Sequence, residues 1–215
     1  QNILQLRGIQ EKNGEEGCNR YVISNSESVF SVLFVYGLFR WCGWESDKIT
    51  FDIIPLFETM KGMESSENTM NELFDLPEYK KHLAQRHNKQ TIMLGFSDGT
   101  KDGGYVKANW EIFKTKEKLS AVCDRNDIKA IFFDGRGGPP ARGGGKTHRF
   151  YAAQTKDIAN NEIQLTIQGQ TITSTYGTKE QFIHNSEQLL TAGLSNNFFG
   201  KENVISKESR QLLEE

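Results

Sequence analysis

Five short apolar, β-branched or aromatic runs punctuate the chain: "RYVIS" around Tyr21, "FDIIPLF" around Phe51, "QTIMLGF" around Thr91, "KAIFF" around Ala130 and "EIQLTI" around Ile163. They recur roughly every 30 to 40 residues and are nearly uniformly apolar rather than alternating, which predicts strands covered on both faces, as in a parallel sheet. Helical periodicity fills the gaps: residues 26–41, residues 66–86 with a break near Pro77, and residues 104–126, where Val106, Trp110 and Phe113 fall on one face. Ser24 followed by Glu27 fits a capping box, and "SSEN" ahead of Met70 supplies further starting residues for a helix. The resulting order is β-α-β-α-β-α-β. No linker longer than a loop interrupts it, so residues 1–215 are expected to form a single domain, or part of one.

Two architectures satisfy that order, an open doubly wound sheet and a closed (β/α) barrel. The strand ends favour part of a TIM-type (β/α)8 barrel with parallel strands. "IIPLF" runs into Glu58, "IMLGF" into Ser97 and Asp98, and "IFF" into Asp134 and then Arg136. Polar residues after successive parallel strands converge on one mouth, where barrel enzymes keep their chemistry. One carboxylate in such a place is commonly a helix cap or a solvated loop residue, but the placement recurs on three successive strands.

Composition narrows the function classes. With 36% hydrophobic and 11% aromatic residues, 215 residues can build a sizeable core. The formal net charge of −2 offers no global field for gathering nucleic acid or an anionic membrane, and neither is expected as a partner. Cys18, Cys42 and Cys123 are odd in number and form no C-x-x-C pair, which argues against a disulfide framework or structural zinc and fits a reducing cytoplasm. The most apolar stretch, "VFSVLFVYGLFRWCGW", is shorter than a membrane span and carries Arg40; it reads as a helix buried inside a protein larger than this chain. The first residues read as a helix already under way without a starting Met, and "KESRQLLEE" as an amphipathic pattern without a stop, so both ends are expected to be truncated.

The segment "FFDGRGGPPARGGGKTH" follows the fourth apolar run. A P-loop needs glycine five residues before its Gly-Lys pair, where Pro140 stands, and a dinucleotide fingerprint begun at Gly135 also lands on Pro140. An RNA-binding RGG tract is long and repeated, unlike this single loop in an acidic chain. A linker accounts for the glycines but not for the arginines. A loop that presents Arg136 and Arg142 to an anion accounts for both, since guanidinium forks match phosphate or carboxylate oxygens and glycines admit backbone close to a ligand. The second constellation, "GFSDGTKDGG", places Asp98, Lys101 and Asp102 in a polar turn that opens a helix. Turn chemistry alone accounts for it. Together with Glu58, it also offers two carboxylates from neighbouring strand ends, a donor set suited to magnesium, with Lys101 beside a phosphate. His82, His87, His148 and His184 show no metal-ligand spacing.

"IIPLFET", "MLGFSDGTKDGG", "FFDGRGGPPARGGG" and "QLTIQGQTI" resemble, in order from about Leu6 to Gly193, phosphoenolpyruvate carboxylases of a bacterial branch. The resemblance implies an internal fragment from the carboxyl-terminal half of the catalytic barrel, since family members are several times longer. It also implies an enzyme, a carbon–carbon lyase that joins phosphoenolpyruvate and bicarbonate into oxaloacetate and phosphate with Mg2+ or Mn2+. Carried onto this chain, Glu58 and Asp98 hold the metal and Lys101 stands near the substrate. Arg136 and Arg142 bind substrate phosphate and the bicarbonate-derived group, with Gly137, Gly138 and Gly143 bringing backbone to the same ligand. The implied partners are phosphoenolpyruvate, bicarbonate, the remainder of the same polypeptide and, as a full-length enzyme, the other subunits of a homotetramer. Many family members have histidine immediately before "GRGG", where this chain has Asp134. The family also draws on residues earlier and later in the chain, so the fragment alone is expected to be poorly folded and inactive. A different phosphoenolpyruvate-handling barrel, or a noncatalytic phosphate-binding module, shares the strand-end carboxylates or the arginines but not the full loop wording.

Overall fold

The computed structural model describes residues 1–136, 145–158, 162–198 and 204–214. Helix α1 (Asn2–Asn13) precedes β1 (Arg20–Ile23), α2 (Val29–Trp41) and β2 (Asp52–Phe57). Then follow α3 (Met60–Asp75), α4 (Pro77–Gln85), β3 (Lys89–Gly95), α5 (Phe96–Gly103), α6 (Tyr105–Arg125) and β4 (Lys129–Gly135). The remainder comprises α7 (Thr147–Ala152), β5 (Ile163–Leu165), α8 (Gln170–Tyr176), α9 (Lys179–Phe198) and α10 (Lys207–Glu214). All five apolar runs are strands.

The strands pair in the order β1-β2-β3-β4-β5, every pair parallel. This sequential order has no point at which the winding reverses, so among the described strands the sheet is singly wound, consistent with part of a barrel and not with a doubly wound sheet. Pro55 marks a handover inside β2. Pairing with β1 ends at Ile23↔Pro55, and pairing with β3 begins at Leu56↔Met93, because a residue without an N–H cannot donate to a ladder. The longest ladder joins β3 and β4, from Lys89↔Lys129 to Gly95↔Gly135. The middles of β2, β3 and β4 are buried, as uniform apolar runs covered on both faces require.

The core joins the sheet to its helices. Phe39 of α2 lies 5.2 Å from Phe51 and 5.6 Å from Trp44, ring centre to ring centre, and Tyr21 of β1 meets Phe39 edge-on. Two buried polar side chains pair within this core: the Tyr79 hydroxyl donates to Gln90 Oε1 at 2.8 Å, and Gln90 Nε2 donates to the Ile53 carbonyl at 3.1 Å. Cys18, Cys42 and Cys123 are free thiols. Among the described residues no helix is long and apolar enough to cross a membrane.

Three local expectations are corrected. The Ser24/Glu27 capping box does not form, since α2 begins at Val29 behind Ser28, and Ser26 instead turns its hydroxyl to the Ile23 carbonyl and accepts from the Leu56 amide. "SSEN" lies inside α3, where Ser65 and Ser66 donate back to the carbonyls of Gly62 and Met63; the helix is capped earlier, by Thr59, whose side chain accepts from the Gly62 amide. Val106 does not share the buried face of Trp110, because α6 turns Ala108, Ile112, Thr115 and Leu119 inward and leaves Val106 exposed. The break before Pro77 is where α3 gives way to α4.

Helix α2 is buried on one side only. Val32, Val35 and Phe39 face the core, whereas Phe30, Phe34 and Trp41, at spacings that align them along one stripe, are 75%, 62% and 87% exposed. An aromatic stripe of that kind is rare on a soluble monomer. The chain on its own is therefore expected to self-associate, and Phe30→Ser/Phe34→Ser/Trp41→Ser to reduce the association. Size-exclusion chromatography with light scattering decides it, a monodisperse parent monomer being the contrary result.

His82 adds a pH dependence. It is buried against Tyr36 and Tyr79, and burial, aided by the Arg86 charge, lowers its pKa from 6.5 to about 4. The folded state thus resists a proton that the unfolded state accepts, so the contribution of His82 is fully present above pH 6.5 and is lost as pH falls toward 4, by about 3 kcal/mol at most. Urea unfolding of the polar-faced triple variant across that interval is expected to show a steeper loss than the same protein carrying His82→Leu.

Candidate active site at the carboxyl edge of the sheet

Because all five strands are parallel, the residues that follow β2, β3 and β4 emerge on one edge. Glu58 is the first residue after β2, and its Oε1 accepts from the Asn25 amide at 3.1 Å, in the turn after β1. It lies hard against the end of β3: a Cβ on Gly95 would stand 2.5 Å from the Glu58 Cβ. Only glycine permits that approach.

The polar turn after β3 is itself a helix, α5, with Phe96 buried beneath it and Thr100 donating to the Phe96 carbonyl at 2.7 Å. Gly104, at φ +80°, makes the joint with α6. Asp98 lies in the first turn of α5, and its Oδ1 pairs with Lys101 Nζ at 2.5 Å. An acid at a helix start and a cation one turn on suit the helix dipole. Asp102 turns to the neighbouring helix instead, where its Oδ2 accepts from the Met60 amide at the start of α3. Of the two acids in this segment, Asp98 is therefore the one associated with Lys101, and Asp102 anchors α5 to α3.

Arg136 follows β4 and is only 5% exposed. Its guanidinium carbon lies 4.2 Å from the centre of the Phe150 ring and 5.3 Å from that of Phe96. Burial lowers its pKa, opposed first by the Asp134 charge. Gly145, at φ +121°, returns the chain beside it: a Cβ there would lie 3.6 Å from Arg136 Nη2. Arg142, Gly137, Gly138 and Gly143 lie outside the described residues.

Asp134, one turn of the pleat before Arg136, is fully buried. Lys116 Nζ of α6 stands 2.8 Å from its Oδ1 and 2.9 Å from its Oδ2, and the Tyr151 hydroxyl of α7 donates to Oδ2 at 2.7 Å. Burial lowers the Lys116 pKa, with the Asp134 charge acting against it, and burial together with that same charge raises the Tyr151 pKa. Lys116, Phe150 and Tyr151 were not foreseen from the chain's motifs. A signal existed for Lys116, which interrupts the buried stripe Ile112, Leu119 and Cys123 at helical spacing.

Among the described residues no group of three His, Cys, Asp or Glu side chains is arranged to hold a metal ion. Glu58 and Asp98 stand beyond the ends of adjacent strands. The edge as a whole thus combines two carboxylates, a lysine and a buried arginine.

The family model described as phosphoenolpyruvate carboxylase matches residues 2–215. A relative named phosphoenolpyruvate carboxylase from Nitrosomonas eutropha is 37% identical over 220 residues, covering 99% of this chain and 24% of the relative. Another of that name, from Nitrosomonas europaea, is 37% identical over 207 residues, covering 94% of this chain and 22% of the relative. The chain spans about a quarter of the length of these relatives, and it belongs to the phosphoenolpyruvate carboxylase family.

Proposed function

We propose that this chain is an internal segment of a phosphoenolpyruvate carboxylase, and that its carboxyl edge supplies part of the site that joins phosphoenolpyruvate and bicarbonate. The observation that carries the reading is the gathering of Glu58, Asp98, Lys101 and Arg136 beyond the ends of three consecutive parallel strands in a chain of that family. The five strands are then consecutive members of an eight-stranded (β/α) barrel closed by the remainder of the polypeptide, which also covers the exposed stripe of α2. The full-length protein is taken to be a homotetramer.

In this reading Glu58 and Asp98 hold a magnesium or manganese ion. Their chemistry fits: both are hard oxygen donors, and magnesium is usually held by one or two carboxylates with water and substrate oxygens completing its shell. When bound, the cation supplies positive charge close to the phosphoryl and enolate oxygens. Lys101 adds a point charge near the phosphate. Arg136 and Arg142 grip the phosphate and the bicarbonate-derived group, with the backbone of Gly137, Gly138 and Gly143 alongside. A bicarbonate oxygen attacks phosphorus, and the bond from phosphorus to the enol oxygen breaks to leave pyruvate enolate and carboxyphosphate. Carboxyphosphate divides into carbon dioxide and phosphate, and the enolate carbon captures the carbon dioxide as oxaloacetate. Fixed cations in a site closed to water stabilise the charge that develops along this path.

The direct test is bicarbonate-dependent formation of oxaloacetate and phosphate from phosphoenolpyruvate by the full-length polypeptide, with residues 1–215 alone inactive. Phosphate release without oxaloacetate would point to a different phosphoenolpyruvate-handling enzyme, and binding without turnover to a noncatalytic module.

Glu58→Gln and Asp98→Asn are each expected to weaken Mn2+ binding by about tenfold or more, read by electron paramagnetic resonance of free Mn2+ and by the metal dependence of turnover. Unchanged binding in both variants would remove these residues from the metal site.

Arg142→Ala is expected to lower kcat/KM by about 100-fold or more with little change in thermal unfolding, because the residue contributes charge to the transition state rather than packing. Arg142→Lys is expected to remain poor, since an ammonium lacks the two-pronged donor geometry. Near-normal steady-state kinetics in either variant would reject the assignment.

A further inference from the structure

Behind the end of β4 lies a buried cluster that no family motif quoted above includes in full. Three elements meet there: β4 contributes Asp134, α6 contributes Lys116, and α7 contributes Phe150 and Tyr151. Lys116 is 1% exposed and Asp134 fully buried. Lys116 Nζ lies 4.9 Å from the Phe150 ring centre, 5.1 Å from Phe132 and 5.7 Å from Tyr151. Phe150 is held edge-on by Tyr151 at 5.1 Å and by Phe96 at 5.5 Å. The same Phe150 ring carries the Arg136 guanidinium at 4.2 Å. One ring therefore serves two cations, the first locked by a carboxylate and the second at the mouth.

A lysine in this position is costly. Desolvating an ammonium and a carboxylate together is often no more stabilising than a well-packed apolar pair, and Ile112, Leu119 and Cys123 on the same side of α6 are apolar. Simple packing is served better by methionine or leucine at that position. What the pair adds is direction: a tyrosine hydroxyl and the ammonium fix the carboxylate, its two oxygens fix the ammonium, and the ammonium fixes the ring on which Arg136 rests. Asp134 accordingly faces inward, engaged by Lys116 and Tyr151, rather than standing where the family's histidine would meet a ligand.

We propose that Lys116, Asp134 and Tyr151 form a buried brace that locks Phe150 and, through it, holds Arg136 in register with the anion at the mouth, which makes Lys116 and Phe150 positioning residues. The proposal rests on the reading of Arg136 as an anion-binding residue. Displacing a guanidinium by a fraction of its length is enough to lose much of its effect on a bound phosphate.

The test uses the full-length polypeptide and two independent readouts. The first is the rate at which phenylglyoxal labels Arg136, followed by peptide mass spectrometry, which requires no activity. In the parent, Arg136 is expected to label slowly, and in Lys116→Met and Phe150→Leu about tenfold faster. Phe150→Trp, which keeps a ring, is expected to restore slow labelling. The second readout is kinetic: KM for phosphoenolpyruvate is expected to rise about tenfold in the same variants while the half-saturating Mn2+ concentration stays at the parent value, because Glu58 and Asp98 belong to other strand ends. Should Lys116→Met alone fail to fold, the paired variant Lys116→Met/Asp134→Asn removes the charge without leaving one buried ion, and Phe150→Leu leaves the ion pair intact. Parent-like labelling of Arg136 in the paired variant and in Phe150→Leu overturns the brace, as does a parallel rise in the Mn2+ requirement, which marks a general loss of structure. A parent protein that forms no oxaloacetate overturns the functional reading instead, and the labelling rates then decide the brace by themselves.

Discussion

The carboxyl edge of this sheet depends on the absence of two side chains. Gly95 and Gly135 are register partners at the ends of β3 and β4. A Cβ on Gly135 would lie 3.0 Å from the Leu94 carbonyl oxygen, and one on Gly95 would press into Glu58. Adjacent strands cannot move closer than their hydrogen-bond spacing allows, so space for the side chains that carry charge has to come from positions that carry none. With both glycines in place, Glu58 leaves β2 across the end of β3, α5 starts directly from the strand, and Arg136 follows β4 at the same edge. The chemistry proposed for this edge presupposes that spacing.

Charge is distributed in two very different ways. Pairs such as Lys48–Glu45 and Lys81–Glu78 are largely exposed neighbours on one stretch of chain, and water and side-chain entropy leave them nearly neutral in their effect on stability. Lys116 and Asp134 come from different elements and share almost no water. There the interaction is strong and unforgiving, because removing either partner strands the other in an apolar setting. The Phe150 ring lies between this ion pair and the Arg136 guanidinium.

The helices show how much of the family's architecture is local. Helix α10 docks on α6 through Arg210, which donates to both Glu117 oxygens at 2.9 and 2.6 Å, and through Glu214, which accepts from Trp110 and Lys114. Helix α2, by contrast, packs through Val32, Val35 and Phe39 and turns its other aromatic residues outward. A chain that spans about a quarter of its relatives' length can complete the contacts it makes with itself and no others.

Period and composition were enough to locate every strand, the Pro77 break and the acids and arginine at the strand ends, because burial on both faces and backbone restriction are properties of short stretches. The family was legible separately, from the wording of motifs that each lie within one short stretch of chain. Local hydrogen-bonding patterns misled where distant partners competed: Ser26 turned to β1 and β2, Thr59 rather than Ser66 capped α3, and Asp102 reached 42 residues back to the Met60 amide. Lys116 was visible as a cation in an apolar stripe, yet nothing along the chain named Asp134 as its partner or Phe150 as the ring it shares with Arg136. The kind of residue each position needs follows from its neighbours in sequence. Which charge meets which is decided only when β4, α6 and α7 pack together, because a buried ion pair is selected by the tertiary contact that removes its water.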